Sequence, residues 1–199
     1  MLMNWLKLID QQIVLFVNGL HTPLLDEIMW LISGKLTFLP LYFFLMYLLK
    51  KIYSWKELGI IVTGIFVVIL IADQTSVHLF KNVFERYRPS HNENFKHLLH
   101  FYEIKHGDLY TGGKYGFVSS HAANFFGLLS FIYPFFKKEK TKVFGVLLVL
   151  GILVCISRIY LGVHYFSDVL VGALLGTFIG FCIRFLVEKI INKKNNSIQ

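Results

Sequence analysis

Residues 57–80 read ELGIIVTGIFVVILIADQTSVHLF, and no charged side chain interrupts them between Leu58 and Ala72. A lone strand this apolar would leave its backbone N–H and C=O groups without partners in lipid, whereas a helix satisfies them within itself. The stretch therefore reads as a transmembrane helix, since a bilayer requires roughly 20 mostly apolar residues. Working outward, four more blocks qualify: residues 24–49, broken at Ser33, Gly34 and Lys35, then Ser119–Phe136, Lys142–Ser157 and Tyr165–Val187. Some uncharged cores, such as Leu36–Leu49 and Val169–Ile183, run only 14 or 15 residues, so their polar ends must lie at the interface. Residues 4–19 (NWLKLIDQQIVLFVNG) mix apolar and polar positions at helical spacing. They read as an amphipathic helix on the membrane surface, with a sixth span as the alternative. The expected architecture is an all-α integral membrane protein: one domain over residues 1–199, with five (or six) transmembrane helices and an N-terminal interfacial helix.

Composition agrees with a membrane class. Of 199 residues, 55% are hydrophobic and 17% aromatic, and the mean hydropathy is +0.58. The net charge of +8 comes from clusters that border the apolar blocks: Lys50, Lys51 and Lys56; Lys137, Lys138, Lys140 and Lys142; Lys189, Lys193 and Lys194. Basic residues fringing lipid-length segments mark cytoplasmic loops. They do not form the single basic face that a nucleic-acid partner needs, so no nucleic acid is expected. Segments 81–118 and 158–164 then fall on the opposite side, facing the periplasm or exterior. Cys155 and Cys182 lie inside apolar blocks and read as packing residues, with no disulfide or zinc spacing. Near the N-terminus Lys7 is followed by Asp10, Gln11 and Gln12, which argues against a cleaved signal peptide.

Three polar clusters stand out, and the topology brings all three to the outer face: Lys81–Pro89 (KNVFERYRP), Phe117–His121 (FVSSH) and Ser157–Asp168 (SRIYLGVHYFSD). Lys81, Arg88 and Arg158 are fixed cations suited to a phosphate dianion, the arginines through bidentate forks. Ser119 and Ser120 open a helix whose free N–H groups make an anion site. His164 and Asp168 are four residues apart, so the carboxylate can hold one imidazole nitrogen while the other attacks phosphorus. His121 is placed to protonate the leaving oxygen as general acid.

Together these spacings resemble the type 2 phosphatidic acid phosphatase superfamily, whose members read Lys-x6-Arg-Pro, Pro-Ser-Gly-His and Ser-Arg-x5-His-x3-Asp. The resemblance spans residues 81–168. It implies a membrane lipid phosphatase with His164 as nucleophile oriented by Asp168, His121 as general acid, and Lys81, Arg88, Ser119, Ser120 and Arg158 on the phosphate. No cofactor and no metal are implied. The expected partners are a lipid phosphate and the membrane, while the oligomeric state is not legible. Substrates implied include undecaprenyl diphosphate, phosphatidylglycerol phosphate, phosphatidate and the 1-phosphate of lipid A. An outward-facing site favours a carrier-lipid diphosphate, with lipid A second. The sequence departs from the family at Val118, in place of proline, and at Ser120, in place of glycine. If only the backbone N–H of residue 120 serves, serine is harmless; if the phosphate needs glycine's close approach, affinity falls.

Other polar residues carry plainer readings. His78, His91, His97, His100 and His106 lack a zinc-ligand spacing. Asp73, inside a span, is a functional group or a structural partner. Arg86 pairs with Glu85 or headgroups, or assists the substrate, and Lys114 and Tyr115 border the second motif. Gly172, Gly176 and Gly180 form a helix-packing ridge. Arg184 snorkels toward the interface. Asn195-Asn196-Ser197 fits a glycosylation pattern on a cytoplasmic tail, where it has no consequence. Two other function classes compete. A vanadium-dependent haloperoxidase uses a similar anion pocket, but the membrane blocks and short chain oppose it. A lipid-binding or transport protein would have no use for two histidines, an aspartate and three cations at these spacings.

Overall fold

The computed structural model describes residues 2–34 and 36–196. Lys35 and Ser197, which the sequence reading touched, lie outside them. Helix α1 spans Leu2–Asn18. The block at 24–49 is not one helix but two, α2 (Pro23–Ser33) and α3 (Leu39–Lys50). The cause is local: Gly34 caps α2 in an extended conformation, and Pro40 sits in the first turn of α3, where its missing N–H costs nothing. At 11 and 12 residues, each is about 17 Å long at 1.5 Å per residue, short of a ~30 Å hydrocarbon core.

Helix α4 (Trp55–Thr75) begins at a capping box: Ser54 Oγ accepts from Glu57 N at 3.3 Å, and Glu57 Oε2 accepts from Ser54 N at 2.9 Å. It runs into a six-residue π-helical segment, Ser76–Lys81, and a last turn, α5 (Asn82–Phe84). Helix α6 (Ser120–Ile132) ends in a 3-10 segment, Tyr133–Glu139. Helices α7 (Lys140–Tyr160) and α8 (Phe166–Asn196) follow. Three described helical stretches are long and apolar enough to cross a membrane: Trp55–Phe84, Lys140–Tyr160 and Phe166–Lys193. The loop between α5 and α6 adds a short antiparallel hairpin, β1 (Glu103–Lys105) with β2 (Asp108–Leu109), which the helical pattern did not anticipate.

The glycine ridge fixes the centre of the bundle. A Cβ on Gly176 would lie 2.0 Å from the Ala123 carbonyl oxygen, and one on Gly180 would lie 2.2 Å from that of Gly127. Helices α6 and α8 therefore meet backbone to backbone, the small-residue packing typical within membranes. Around them Ile61, Val68, Phe131, Ile132 and Leu147 are buried. Phe43, Phe66, Val149, Leu174 and Phe178 point outward, more exposed apolar surface than a soluble monomer carries. The protein is thus an all-helical integral membrane fold. The C-terminus of α5, the N-terminus of α6 and the turn between α7 and α8 meet at one end of it.

Candidate active site

That turn is tight. Gly162 adopts φ +67°, a conformation costly for residues with a Cβ, and its carbonyl accepts from Ser90 N at 3.1 Å. It delivers His164, 1% exposed, to the wall of a cavity of about 650 Å³. Lys81, Arg88, Ser120 and His121 line the same cavity, together with Asp73 and Asn124 and the apolar Phe38, Tyr42, Phe66 and Phe125. The structure thus gathers five of the eight residues chosen from sequence onto one surface.

The other three stand behind it. Asp168 is fully buried, with Oδ2 3.4 Å from His164 Nδ1. That approach lacks hydrogen-bond geometry, and Nδ1 has no other protein partner. Oδ2 also accepts from Tyr165 N at 2.9 Å. Arg158 is buried: Nη1 donates to Ser33 Oγ and Nη2 donates to Tyr110 Oη at 3.0 Å, while Nε stays unpaired. Ser119 is the N-cap of α6, its own N–H donating to the Asp168 carbonyl at 3.0 Å.

The electrostatics are those of an anion site. Arg88 donates through Nε to the Tyr115 carbonyl at 3.1 Å, but its Nη1 is buried without an acceptor. Gly112 makes room for that guanidinium, since a Cβ there would sit 2.6 Å from Nη1. Burial and the nearby Arg158 bring Arg88 down to about 10, which leaves it a cation at neutral pH. Burial, then the charges of Arg88, Arg158 and Lys81 with His121, hold His164 well below the ordinary histidine value. His164 is therefore a neutral imidazole, the state in which a nitrogen lone pair is available. Unpaired buried donors converging on a neutral imidazole suit a phosphate, which supplies the missing acceptors.

The π-helical segment bears on the site because it ends at Lys81, whose ammonium donates to Ser120 Oγ at 2.7 Å. Such segments recur at functional sites because they shift helix register. Ser120, where the family has glycine, thus brings a side-chain acceptor for Lys81 to the site. Several participants escaped the sequence reading. Ser33 was legible only as a helix break, Tyr110 as part of a loop, and Asp10 as one polar residue in an amphipathic helix. Arg86 contacts Asp168 and not Glu85: Nη1 donates to Asp168 Oδ1 at 2.9 Å. Lys114 lies over the rings of Tyr87 and Tyr115 at the loop surface.

A polytopic helical protein with buried cations gathered around a histidine at one end of the bundle has the build of a membrane phosphatase. The sequence profile of the PAP2 superfamily matches residues 58–191. The chain belongs to that superfamily and is a phosphatase of its membrane lipid phosphatase branch. It is 35% identical over 189 residues to a lipid A 4'-phosphatase of Bacteroides thetaiotaomicron, covering 95% of this chain and 81% of the relative. A lipid A 4'-phosphatase of Porphyromonas gingivalis is 36% identical over 182 residues, 89% of this chain and 72% of the relative. The crystal structure of a transmembrane PAP2-type phosphatidylglycerolphosphate phosphatase from Bacillus subtilis superposes with a TM-score of 0.63 at 26% identity, covering 96% of this chain and 88% of that one.

Proposed function

We propose that this protein is a lipid A phosphatase working through a phosphohistidine. The observation that carries the substrate is the similarity, over 95% and 89% of this chain, to two lipid A 4'-phosphatases, which favours lipid A over the carrier-lipid diphosphate expected from sequence. Asp73 on the cavity wall supports the same choice. A carboxylate there can accept hydrogen bonds from the sugar hydroxyls of such a substrate.

His164 Nε2 attacks phosphorus as the bond to the leaving oxygen breaks, and His121 gives that oxygen its proton. The dephosphorylated lipid leaves, and the phosphorylated imidazole keeps its Nδ1 proton toward Asp168. Water then attacks phosphorus with His121 taking its proton, the P–N bond breaks, and inorganic phosphate departs. Lys81, Arg88 and Ser120 on the cavity wall hold the equatorial oxygens, where charge accumulates, while Arg158 and the Ser119-capped start of α6 act on that charge from behind the wall. No metal or cofactor takes part in this scheme.

The chain forms one domain with five spans, the first being the broken α2–α3 pair, and α1 lies along the interface. The lysine-rich end faces the cytoplasm, and the site opens on the periplasmic side at headgroup depth, where the apolar lining of the cavity admits lipid chains. The test is phosphate release by detergent-purified protein, with EDTA present, from lipid A, undecaprenyl diphosphate, phosphatidylglycerol phosphate and phosphatidate. Lipid A should be hydrolysed fastest, with mass spectrometry placing the loss at the 4' position, and vanadate should inhibit. Faster turnover of the carrier diphosphate would overturn the substrate, and vanadate insensitivity at millimolar levels would overturn the mechanism.

A further inference from the structure

One face of His164 looks into the cavity; the other rests on a chain of paired groups that ends on α1. Arg86 is the centre of that chain. Its Nη1 donates to Asp168 Oδ1 at 2.9 Å and to Ser167 Oγ at 2.6 Å, and its Nη2 donates to Asp10 Oδ2 at 2.7 Å. The guanidinium carbon lies 4.3 Å over the ring of Tyr165, so its plane is fixed as well as its ends. Asp10 in turn accepts from Ser167 N at 2.9 Å and from Ser167 Oγ at 2.5 Å. Ser167 stands in the first turn of α8, where backbone N–H groups lack helical acceptors. Asp10 therefore caps α8 from another helix and clamps the arginine that holds Asp168. Both carboxylates are enclosed, the Asp10 and Asp168 side chains being 8% and 0% exposed, while the bridging Arg86 is 28% exposed.

We infer that Asp10 is a positioning residue for catalysis, acting through Arg86 and Ser167 to hold Asp168 against His164. Asp168 has two oxygens and two duties. Oδ1 takes the guanidinium; Oδ2 takes the Tyr165 N–H and faces the imidazole. A carboxylate loose about its Cβ–Cγ bond would trade these roles, and the Arg86 fork prevents the trade only if its far end is also anchored. Asp10 is that anchor. It matters for charge too. Two carboxylates and one guanidinium leave the group one unit negative, opposite to the positive imidazole ring that forms when Nε2 is phosphorylated and Nδ1 keeps its proton. Without Asp10 the group is neutral, and the phosphorylated ring loses that compensation. The effect belongs to the chemical step and not to binding, since none of these residues lines the cavity. Asp10 also lies outside residues 58–191, the stretch matched by the superfamily, so motif reading does not reach it.

The inference rests on His164 being the nucleophile, and the experiment separates the two. Native protein, H164A, D10N, R86K and N18A are assayed on one lipid phosphate by steady state and by rapid-quench phosphoenzyme formation. Asn18 is the control for α1 docking alone. Its amide donates to the His100 and Tyr160 carbonyls at 2.8 and 2.7 Å without touching Arg86. D10N removes the charge and leaves an amide N–H against a donor, the guanidinium or the Ser167 N–H, and R86K keeps the charge but cannot bridge both carboxylates. Each should lower kcat and the phosphoenzyme rate by about 10–100-fold, the usual cost of losing an orienting partner, with KM within about twofold. D10E should recover part of the loss, and N18A should keep native kcat even if its Tm falls. D10N and R86K at native kcat, a loss confined to KM, or an equal loss in N18A would each overturn the inference. If D10N does not fold, R86K alone decides by the same criteria. An inactive native protein, or an active H164A, would instead overturn the mechanism on which it rests.

Discussion

The two ends of the bundle are built from different chemistry. At the site end, Asp10, Asn18, Arg88, Arg158, His164 and Asp168 are all buried, and the backbone is irregular, with a π segment before Lys81 and a left-handed glycine before His164. At the lysine-rich end the buried contacts are mostly apolar and aromatic, with Arg184 approaching Glu188 at 3.8 Å as an exception. Tyr53 meets Phe135 edge-on, Phe131 packs on Phe135, and Leu49 and Phe136 are buried; the cations there, Lys51 and Lys56, are exposed. Buried polar and charged groups are costly unless paired, so their concentration at one end marks where structure has been given over to function. The other end carries the ordinary work of holding helices together.

Replacement at each end should break the symmetry of that comparison most sharply. H164A should lower kcat by on the order of 10⁴-fold or more, as removal of a nucleophile does, with the Tm of the detergent-solubilised protein little changed. K51Q or K56Q at the far end should leave kcat within about twofold, exposed charges contributing little. Loss of activity in the lysine variants at unchanged Tm would mean that the two ends are coupled in a way their packing does not indicate.

The middle of the bundle predicts an effect on stability. G176A places a methyl 2.0 Å from the Ala123 carbonyl oxygen, so α6 and α8 must separate. Overpacking of this kind costs about 1–3 kcal/mol, read as a lower Tm. Activity should fall with it, because α6 and α8 carry His121 and Asp168. A native Tm would mean that the helices part without cost.

The pH profile tests the site end more gently. His164 is held well below the ordinary histidine value, so protonation of its ring should place no acid limb in kcat/KM at about 6.5, the value of a free histidine. The sign for stability follows from the same shift. The unfolded chain takes up a proton on His164 below about pH 6.5 and the folded one does not. That contribution to stability is full above this value and declines as pH falls toward the folded pKa. An acid limb near 6.5 in kcat/KM would place His164 in a more solvated setting than the cavity provides.

What the sequence disclosed follows the same division. The apolar runs and the glycine ridge were legible because lipid imposes length and small residues permit close helices, requirements written residue by residue. The order of Lys81, Arg88, His121, Arg158, His164 and Asp168 was legible because phosphate chemistry constrains spacing within each segment. Contacts between segments were not. Nothing in residues 4–19 says that Asp10 meets Arg86, or in residues 24–49 that Ser33 meets Arg158. A pairing of buried polar groups across a helix bundle leaves no periodic trace in either partner. The division of residues 24–49 into α2 and α3 was half visible, in Ser33 and Gly34 but not in the consequence of Pro40.

The smallest predicted effect concerns the departure from the family at Ser120. Glycine there would remove the oxygen that accepts from Lys81 at 2.7 Å, while leaving the backbone N–H in place. A lysine on a flexible stem is a point charge whose aim depends on such a partner. Loss of one hydrogen bond to a charged group amounts to about 1.5–3 kcal/mol when the donor is left buried and unpaired, but bound phosphate itself offers Lys81 a replacement. S120G should therefore raise KM by a few-fold at nearly constant kcat and weaken vanadate inhibition in parallel. Should S120G instead match or exceed native kcat/KM, the serine would be displacing phosphate oxygens from the α6 N-terminus. The close approach permitted by glycine would then outweigh the aim of the lysine.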